Sequence, residues 1–299
     1  SEDELGQLIA ENEANKKFKE ERQENNLPTL KLDEIDKDIN SIDYNVEKLG
    51  PVTLLHAPQN TGKIIYANLQ FDLSTIDLDK LPYAALLTRL LGNLDTEKFS
   101  RGELENEIYK STGGIRFSTF NAEHVKSGEQ DARFIMSGKA TAENLEKLFA
   151  LMEEIIFHTS FEDTKWLSQK VSGLRNELEN SLVNDGSSTA LQRVRSYFSP
   201  MFKYREQLSG LDFLKFVQKL DEQLRSEPEA AVKMLNEVYK QLFNQNQLII
   251  GVTSDEEDYE IFKKEIQSFL DQLPKEEKER GKFFEETENL QEGISTASQ

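Results

Sequence analysis

Between Ile65 and Leu73 every second residue is apolar (Ile65, Ala67, Leu69, Phe71, Leu73), while Tyr66, Asn68, Gln70 and Asp72 fill the alternate positions. Successive strand side chains point to opposite faces of a sheet, so this run has one dry face and one wet face. That is the pattern of a half-buried strand in an antiparallel sheet, and whatever covers the dry face must come from elsewhere in the chain.

The cover is supplied by segments of helical period. Leu81 to Leu94 places Ala85, Leu86, Leu90 and Leu91 at three-and-four spacing, and the helix from Thr141 repeats Leu145, Leu148, Phe149, Met152, Ile155 and Ile156 in the same way. Ser100-Arg101-Gly102-Glu103 and Ser254-Asp255-Glu256-Glu257 read as capping boxes that open two further helices. A mostly helical stretch runs from Ser160 to about Phe198, interrupted near 184–188, and helices follow over Leu211 to Leu224 and Glu229 to Phe243. Strands are expected at Val52 to His56, Ile115 to Phe120, Ala132 to Gly138 and Leu248 to Val252, the last as a buried strand. The chain therefore predicts an α+β fold, an antiparallel sheet covered by helices, with an N-terminal helical arm over the first twenty-five residues.

Charge narrows the function classes. The formal net charge is -19 over 299 residues; residues 1–25 contribute -4 and residues 272–299 contribute -3, which leaves -12 for the part between. Nucleic acid and anionic membranes are bound by Lys and Arg, so neither is an expected partner. There is no Cys, which removes disulfides, thiolate metal sites and thiol nucleophiles and fits a reducing compartment. No stretch reaches the roughly 18 consecutive apolar residues of a membrane span. The expected location is the cytoplasm, of a bacterial cell.

No catalytic constellation is visible in the residues themselves. His56, His124 and His158 have no second His three to five residues away, so no local zinc signature exists, although a site assembled from all three in space stays open. Gly62-Lys63 lacks the rest of a phosphate loop. Thr112-Gly113-Gly114 is read either as a backbone anion nest or as a helix-stopping turn, and the turn accounts for the glycines.

Five ordered motifs carry a resemblance. Leu27-Pro28-Thr29-Leu30-Lys31-Leu32-Asp33-Glu34-Ile35, Asn60-Thr61-Gly62-Lys63-Ile64-Ile65-Tyr66, Thr112-Gly113-Gly114-Ile115, Tyr197-Phe198-Ser199-Pro200 and Gln207-Leu208-Ser209-Gly210-Leu211 together resemble the second half of presequence-protease-like zinc metallopeptidases, subfamily C of the pitrilysin/insulinase family. The resemblance implies the metallohydrolase fold shared by LuxS and the mitochondrial processing peptidase. It implies that residues 1–27 end an interdomain helical hairpin, that 28–40 connect, that 41–273 form the peptidase-associated third domain, and that 274–299 lead toward a fourth domain. In such an enzyme two halves close around an unstructured peptide, and zinc is held by an inverted His-x-x-Glu-His helix of the first domain.

In the third domain the equivalent helix here reads Ala85-Leu86-Leu87-Thr88-Arg89-Leu90-Leu91, which has no ligand. The resemblance therefore implies no catalytic, cofactor or metal residue in this chain, which alone is expected to be inactive; Glu177 is at most a remnant of the distal ligand position. Zinc belongs to the full-length enzyme. The expected function is that of a non-catalytic domain of a zinc oligopeptidase, forming part of the chamber that confines unstructured peptides, with basic peptides favoured by the acidity. Its partners are the N-terminal catalytic half and the fourth domain of the same polypeptide. The alternative is a stand-alone inactive homologue acting as a scaffold or interaction module.

Overall fold

A computed structural model describes residues 2–22, 30–31, 34–35, 41–276 and 291–293. The chain divides into two compact units, residues 1–42 and 43–299. Much of the 28–40 connector and of the 274–299 segment lies outside the described residues.

The first unit contains helix α1 (Glu2–Arg22). Its described side chains, including Leu8, Ile9 and Phe18, are exposed. The thin spacing of its apolar residues leaves no stripe wide enough to pack a core.

The second unit is built on a six-stranded sheet in the order β1-β2-β6-β3-β5-β4. The strands are β1 (Asn45–Leu49), β2 (Val52–Pro58), β3 (Ile64–Asp72), β4 (Ile115–Glu123), β5 (Gln130–Thr141) and β6 (Ile249–Ser254). All pairings are antiparallel except β2 with β6. The alternation of β3 is realised as expected: Ile65, Ala67, Leu69 and Phe71 are fully buried, whereas Tyr66 and Asn68 are exposed. Strand β1 is an element that the sequence did not mark, because its side chains are mostly exposed and impose no alternation. Strand β6 corrects the expectation of a fully buried strand: Ile250 and Val252 are buried and Ile249, Gly251 and Thr253 only partly so, since its other face is open like that of β3.

Helices cover one face of the sheet. They are α2 (Leu81–Leu90), α3 (Arg101–Ser111), α4 (Leu145–His158), α5 (Thr164–Asn184), α6 (Gly186–Ser196), α7 (Pro200–Ser209), α8 (Leu211–Ser226), α9 (Pro228–Leu242) and α10 (Glu256–Gln272). Helix α4 packs on α10 through Phe149, whose ring lies 5.6 Å from Phe262 and 5.9 Å from Phe269. It comes close to the sheet over Gly138 of β5, where a Cβ would sit 2.8 Å from Leu148 Cδ1 and would displace the tip of Met152, so the glycine lets both side chains lie flat on the strand. The predicted capping box of α3 forms with both reciprocal bonds, Ser100 to the Glu103 amide and Glu103 to the Ser100 amide.

The predicted box of α10 does not form. Asp255 occupies the N-cap, yet its carboxylate accepts from the Lys63 amide at 2.8 Å and from Thr61 Oγ1 at 3.3 Å, and Ser254 Oγ donates to the Asp255 carbonyl. The carboxylate is taken by the turn before β3, where Gly62 and Lys63 both adopt positive φ (64° and 68°). Those bonds hold the Asp255 carboxyl below its ordinary range, the Lys63 amide contributing most.

Candidate functional site

The helix that the resemblance sets against the metal helix of the catalytic domain is α2, and it is largely apolar. Leu81, Ala84, Ala85, Leu86, Leu87 and Leu90 are buried, and Thr88 spends its hydroxyl on the Ala85 carbonyl at 2.7 Å. The exposed position Arg89 reaches across to α5, where its Nη1 lies 3.8 Å from Glu177 Oε1; the two side chains are 56% and 62% exposed. A guanidinium has no lone pair to offer a cation and here neutralises the nearest carboxylate. So exposed a pair contributes about 0–1 kcal/mol. Among the described residues no group of three or more His, Cys, Asp or Glu is placed to hold a metal ion.

The three histidines do not converge. His124 sits in the turn after β4 and bonds Ser127, and His158 ends α4 with its Nδ1 2.8 Å from Glu97. His56 of β2 is buried under α10, stacked 3.8 Å from the Tyr259 ring with 4° between planes, with Nε2 3.2 Å from Ser254 Oγ. Burial is the main reason its pKa falls below the ordinary 6.5, against the opposing pull of Glu256 and Glu47. Below pH 6.5 the unfolded chain takes up a proton that folded His56 resists, so stability is lost as pH falls. Unfolding by urea at pH 7.5 and pH 5.5 should show a loss of at most about 1.4 kcal/mol per pH unit that vanishes in His56→Gln. Identical slopes in the two proteins would remove His56 from this account.

Thr112-Gly113-Gly114 is a helix stop. The Gly113 amide donates to the Lys139 carbonyl at 2.7 Å and the Gly114 amide to Thr112 Oγ1 at 2.9 Å, so neither is free to meet an anion. Gly114 needs its positive φ of 108°, and Gly113 lies against the Lys139 side chain, 2.6 Å from where a Cβ would be.

Two further surfaces of this unit bear on function. A cavity of about 450 Å³ lies among α2, α3, β4 and α5, with Tyr109, Ile115 and Phe117 in its lining and Trp166 between Arg101 (4.3 Å from the indole centroid) and Lys170 (4.9 Å). It has no His and no paired carboxylates, so it lacks an acid–base couple. The second surface is the helix-free face of the sheet. Thr53, Leu55, Gly251, Thr253, Tyr66, Asn68, Ile135, Ser137 and Ser118 lie on it together with the exposed Val46 and Phe120, and its charged positions are Lys48, Arg116, Lys139, the Arg133–Asp131 pair and Asp72, the buried register partner of Arg133. The acidity of the chain is therefore carried by other surfaces, a distribution that no charge count reveals.

A family model for the segment associated with subfamily C of the M16 peptidases matches residues 1–220. Protein HypA of Clostridium perfringens is 28% identical over 271 residues, covering 90% of this chain and 28% of that protein. Presequence protease 1, chloroplastic/mitochondrial, of Arabidopsis thaliana is 27% identical over 248 residues, covering 83% and 23%. The chain thus spans about a quarter of the length of these relatives. Among solved structures, a peptidase M16 inactive domain from Pseudomonas fluorescens superposes with a TM-score of 0.55 at 13% identity, covering 82% of this chain and 54% of that one. A conserved protein from Enterococcus faecalis gives 0.56 at 16%, covering 80% and 54%. These likenesses show the fold, that of a helix-covered sheet found in inactive M16 domains. No described helix is long and apolar enough to cross a membrane.

Proposed function

Because the chain belongs to the family of segments associated with subfamily C of the M16 peptidases, we propose that it is the non-catalytic domain of a zinc-dependent oligopeptidase and forms part of the closed chamber in which unstructured peptides are cut. The observation that carries this reading is the Arg89–Glu177 pair, which puts a cation and its counter-ion where a metal helix would need imidazoles and a free carboxylate. Zinc and the general base come from the catalytic half of the same polypeptide, which, with the fourth domain, is the partner of this chain.

The open sheet face is suited to the wall. It mixes hydroxyls, amides and small side chains with the exposed Val46, Tyr66 and Phe120, so it can meet polar and apolar segments alike, and its lysines and arginines do not repel acidic ones. The preference for basic peptides expected from overall acidity then applies to approach from bulk solvent, over roughly one Debye length of 8 Å, and not to contact with this face.

The reading is tested by separating the parts. The chain alone, equilibrated with zinc and passed over a desalting column, should retain no stoichiometric zinc and cleave no unstructured peptide. Adding it to the separately produced zinc-binding half and fourth domain should restore peptide cleavage that those parts lack without it. Cleavage by the chain alone, stoichiometric zinc on it, or a mixture no more active than the other parts would overturn the proposal. A stable but inactive mixture would point to the scaffold role.

A further inference from the structure

The motifs Tyr197-Phe198-Ser199-Pro200 and Gln207-Leu208-Ser209-Gly210-Leu211 have no part in the chamber reading, yet they meet around one side chain, Arg193 of α6. Tyr197 to Ser199 turn the chain from α6 into α7, the amides of Tyr197 and Ser199 donating to Val194 and Arg195 carbonyls. Helix α7 brings in Glu206, which is 1% exposed. Its carboxylate accepts from the Leu211 amide at 3.1 Å, Gln192 Nε2 at 3.1 Å and Arg193 Nη1 at 3.2 Å. Gly210 makes room for it: a Cβ there would collide with the carboxylate and lie 2.7 Å from Gln192 Nε2. Asp212, in the first turn of α8, accepts from Arg193 Nη1 and from Gln207 Nε2, each at 3.1 Å, and has Lys215 Nζ at 3.8 Å.

These bonds fix the guanidinium by one nitrogen and leave its Nε–Nη2 edge outward. That edge is a two-pronged donor whose geometry matches a carboxylate. In the structure it is filled by Glu292: Nε donates to Oε2 at 2.6 Å, Nη2 to Oε1 at 2.8 Å, and the Tyr197 hydroxyl to Oε2 at 2.8 Å. Arg193 is 12% exposed and Glu292 28%, so the contact is partly shielded from solvent. The Arg193 and then the Tyr197 hydrogen bonds hold the Glu292 carboxyl at a pKa of about 2.

We propose that the Arg193–Tyr197 edge is a preformed carboxylate socket that captures the chain's own acidic C-terminal segment through Glu292, fixing where the polypeptide leaves the domain. Glu206 and Asp212 already offset the charge of Arg193, so attraction by net charge is weak. Selection rests on shape: a carboxylate gains entry by making both prongs and the tyrosine bond at once. Fifteen residues lie between Glu276 and Glu292, so the carboxylate reaches the socket from the same chain and needs no free partner, which favours filling a pre-organised site even of modest affinity. The segment carries six other glutamates, Glu276, Glu277, Glu279, Glu285, Glu286 and Glu288, which serve as controls.

The chain has no cysteine, so Ser295→Cys gives a single site for a nitroxide. In the full chain its spectrum should show a slow component reporting the docked segment. Glu292→Gln should lower the ratio of slow to fast component at least tenfold, Tyr197→Phe about threefold, and Glu288→Gln not at all. Arg193→Lys, which keeps the charge but loses the fork, should match Glu292→Gln. Helical circular dichroism and the unfolding midpoint of each variant separate release of the segment from loss of the fold. A label equally mobile in the parent and in Glu292→Gln, or an equal response to Glu288→Gln, would overturn the socket.

Discussion

Replacing Phe134 by alanine is expected to lower the unfolding free energy by about 3–5 kcal/mol, the cost of emptying a site where the core cannot collapse. Phe134 is fully buried on β5, directly opposite Phe71 of β3. Its ring stands edge-on to Phe243 at 5.7 Å, and Phe243 in turn meets Phe71 at 5.1 Å and Tyr239 at 5.8 Å. Removing one ring strips partners from an interlocked group in which each aromatic pair is worth about 0.5–1.5 kcal/mol beyond its buried area. A sheet on one side and α9 with its following turn on the other hold the walls apart, so the void persists. Urea unfolding should show a lower midpoint at unchanged slope. Phe134→Leu, which refills most of the volume, should cost less than half as much. A loss under about 2 kcal/mol for alanine would mean that the site relaxes and that the cluster is not the rigid centre described here.

The second large effect is expected at Asp221, a charged residue with no exposed surface. Its carboxylate ties α8 to α5, accepting from Ser172, from Arg175 Nη1 at 2.6 Å and from Arg225 Nη2 at 2.7 Å. Alanine leaves two guanidiniums without their common anion, a loss of about 3 kcal/mol, at the low end for a broken buried pair because Arg225 can turn to water. Asparagine should do no better. It keeps the shape, yet it loses the charge and must offer either a carbonyl or an NH2 to donors that need two acceptor oxygens. Guanidinium unfolding measures the loss, and hydrogen exchange should quicken in α5 and α8 before the sheet. If asparagine restored parental stability, shape rather than charge would be the binding element.

The sheet was legible where burial imposes a rhythm. Ile65 to Phe71 alternates because one face is dry, and the expected strand matches β3 within one residue at its start. The same rule hid β1, whose residues from Asn45 to Lys48 are all exposed, and misread β6, where Ile249-Ile250-Gly251-Val252 looks apolar throughout although only alternate residues are covered. Helix α7 escaped because Pro200-Met201-Phe202-Lys203-Tyr204 has no clear stripe; it is held by Tyr204, Glu206 and Leu208, a mixed set that only tertiary contact explains. Capping boxes show the limit from another side. Ser100 and Ser254 open equally good local sequences, but at α10 the N-cap falls on Asp255, whose carboxylate is claimed by Lys63 and Thr61, almost two hundred residues away in the chain. The aliphatic character of Ala85 to Leu91 was readable in the sequence, whereas the pairing of Arg89 with Glu177 needed the α2–α5 juxtaposition.

The place of β6 in the sheet bears on how the protein is made. Among the six described strands of the sheet it is the last to be synthesised, and it lies between β2 and β3, which were finished nearly two hundred residues earlier. At about 5–20 residues per second, β2 and β3 wait on the order of ten to forty seconds at the ribosome with bare hydrogen-bonding edges. Bare edges recruit other strands, so the nascent chain is open to mispairing and to chaperone capture throughout that interval. Completion of one short segment, Ile249 to Ser254, ends the exposure by closing both edges at once.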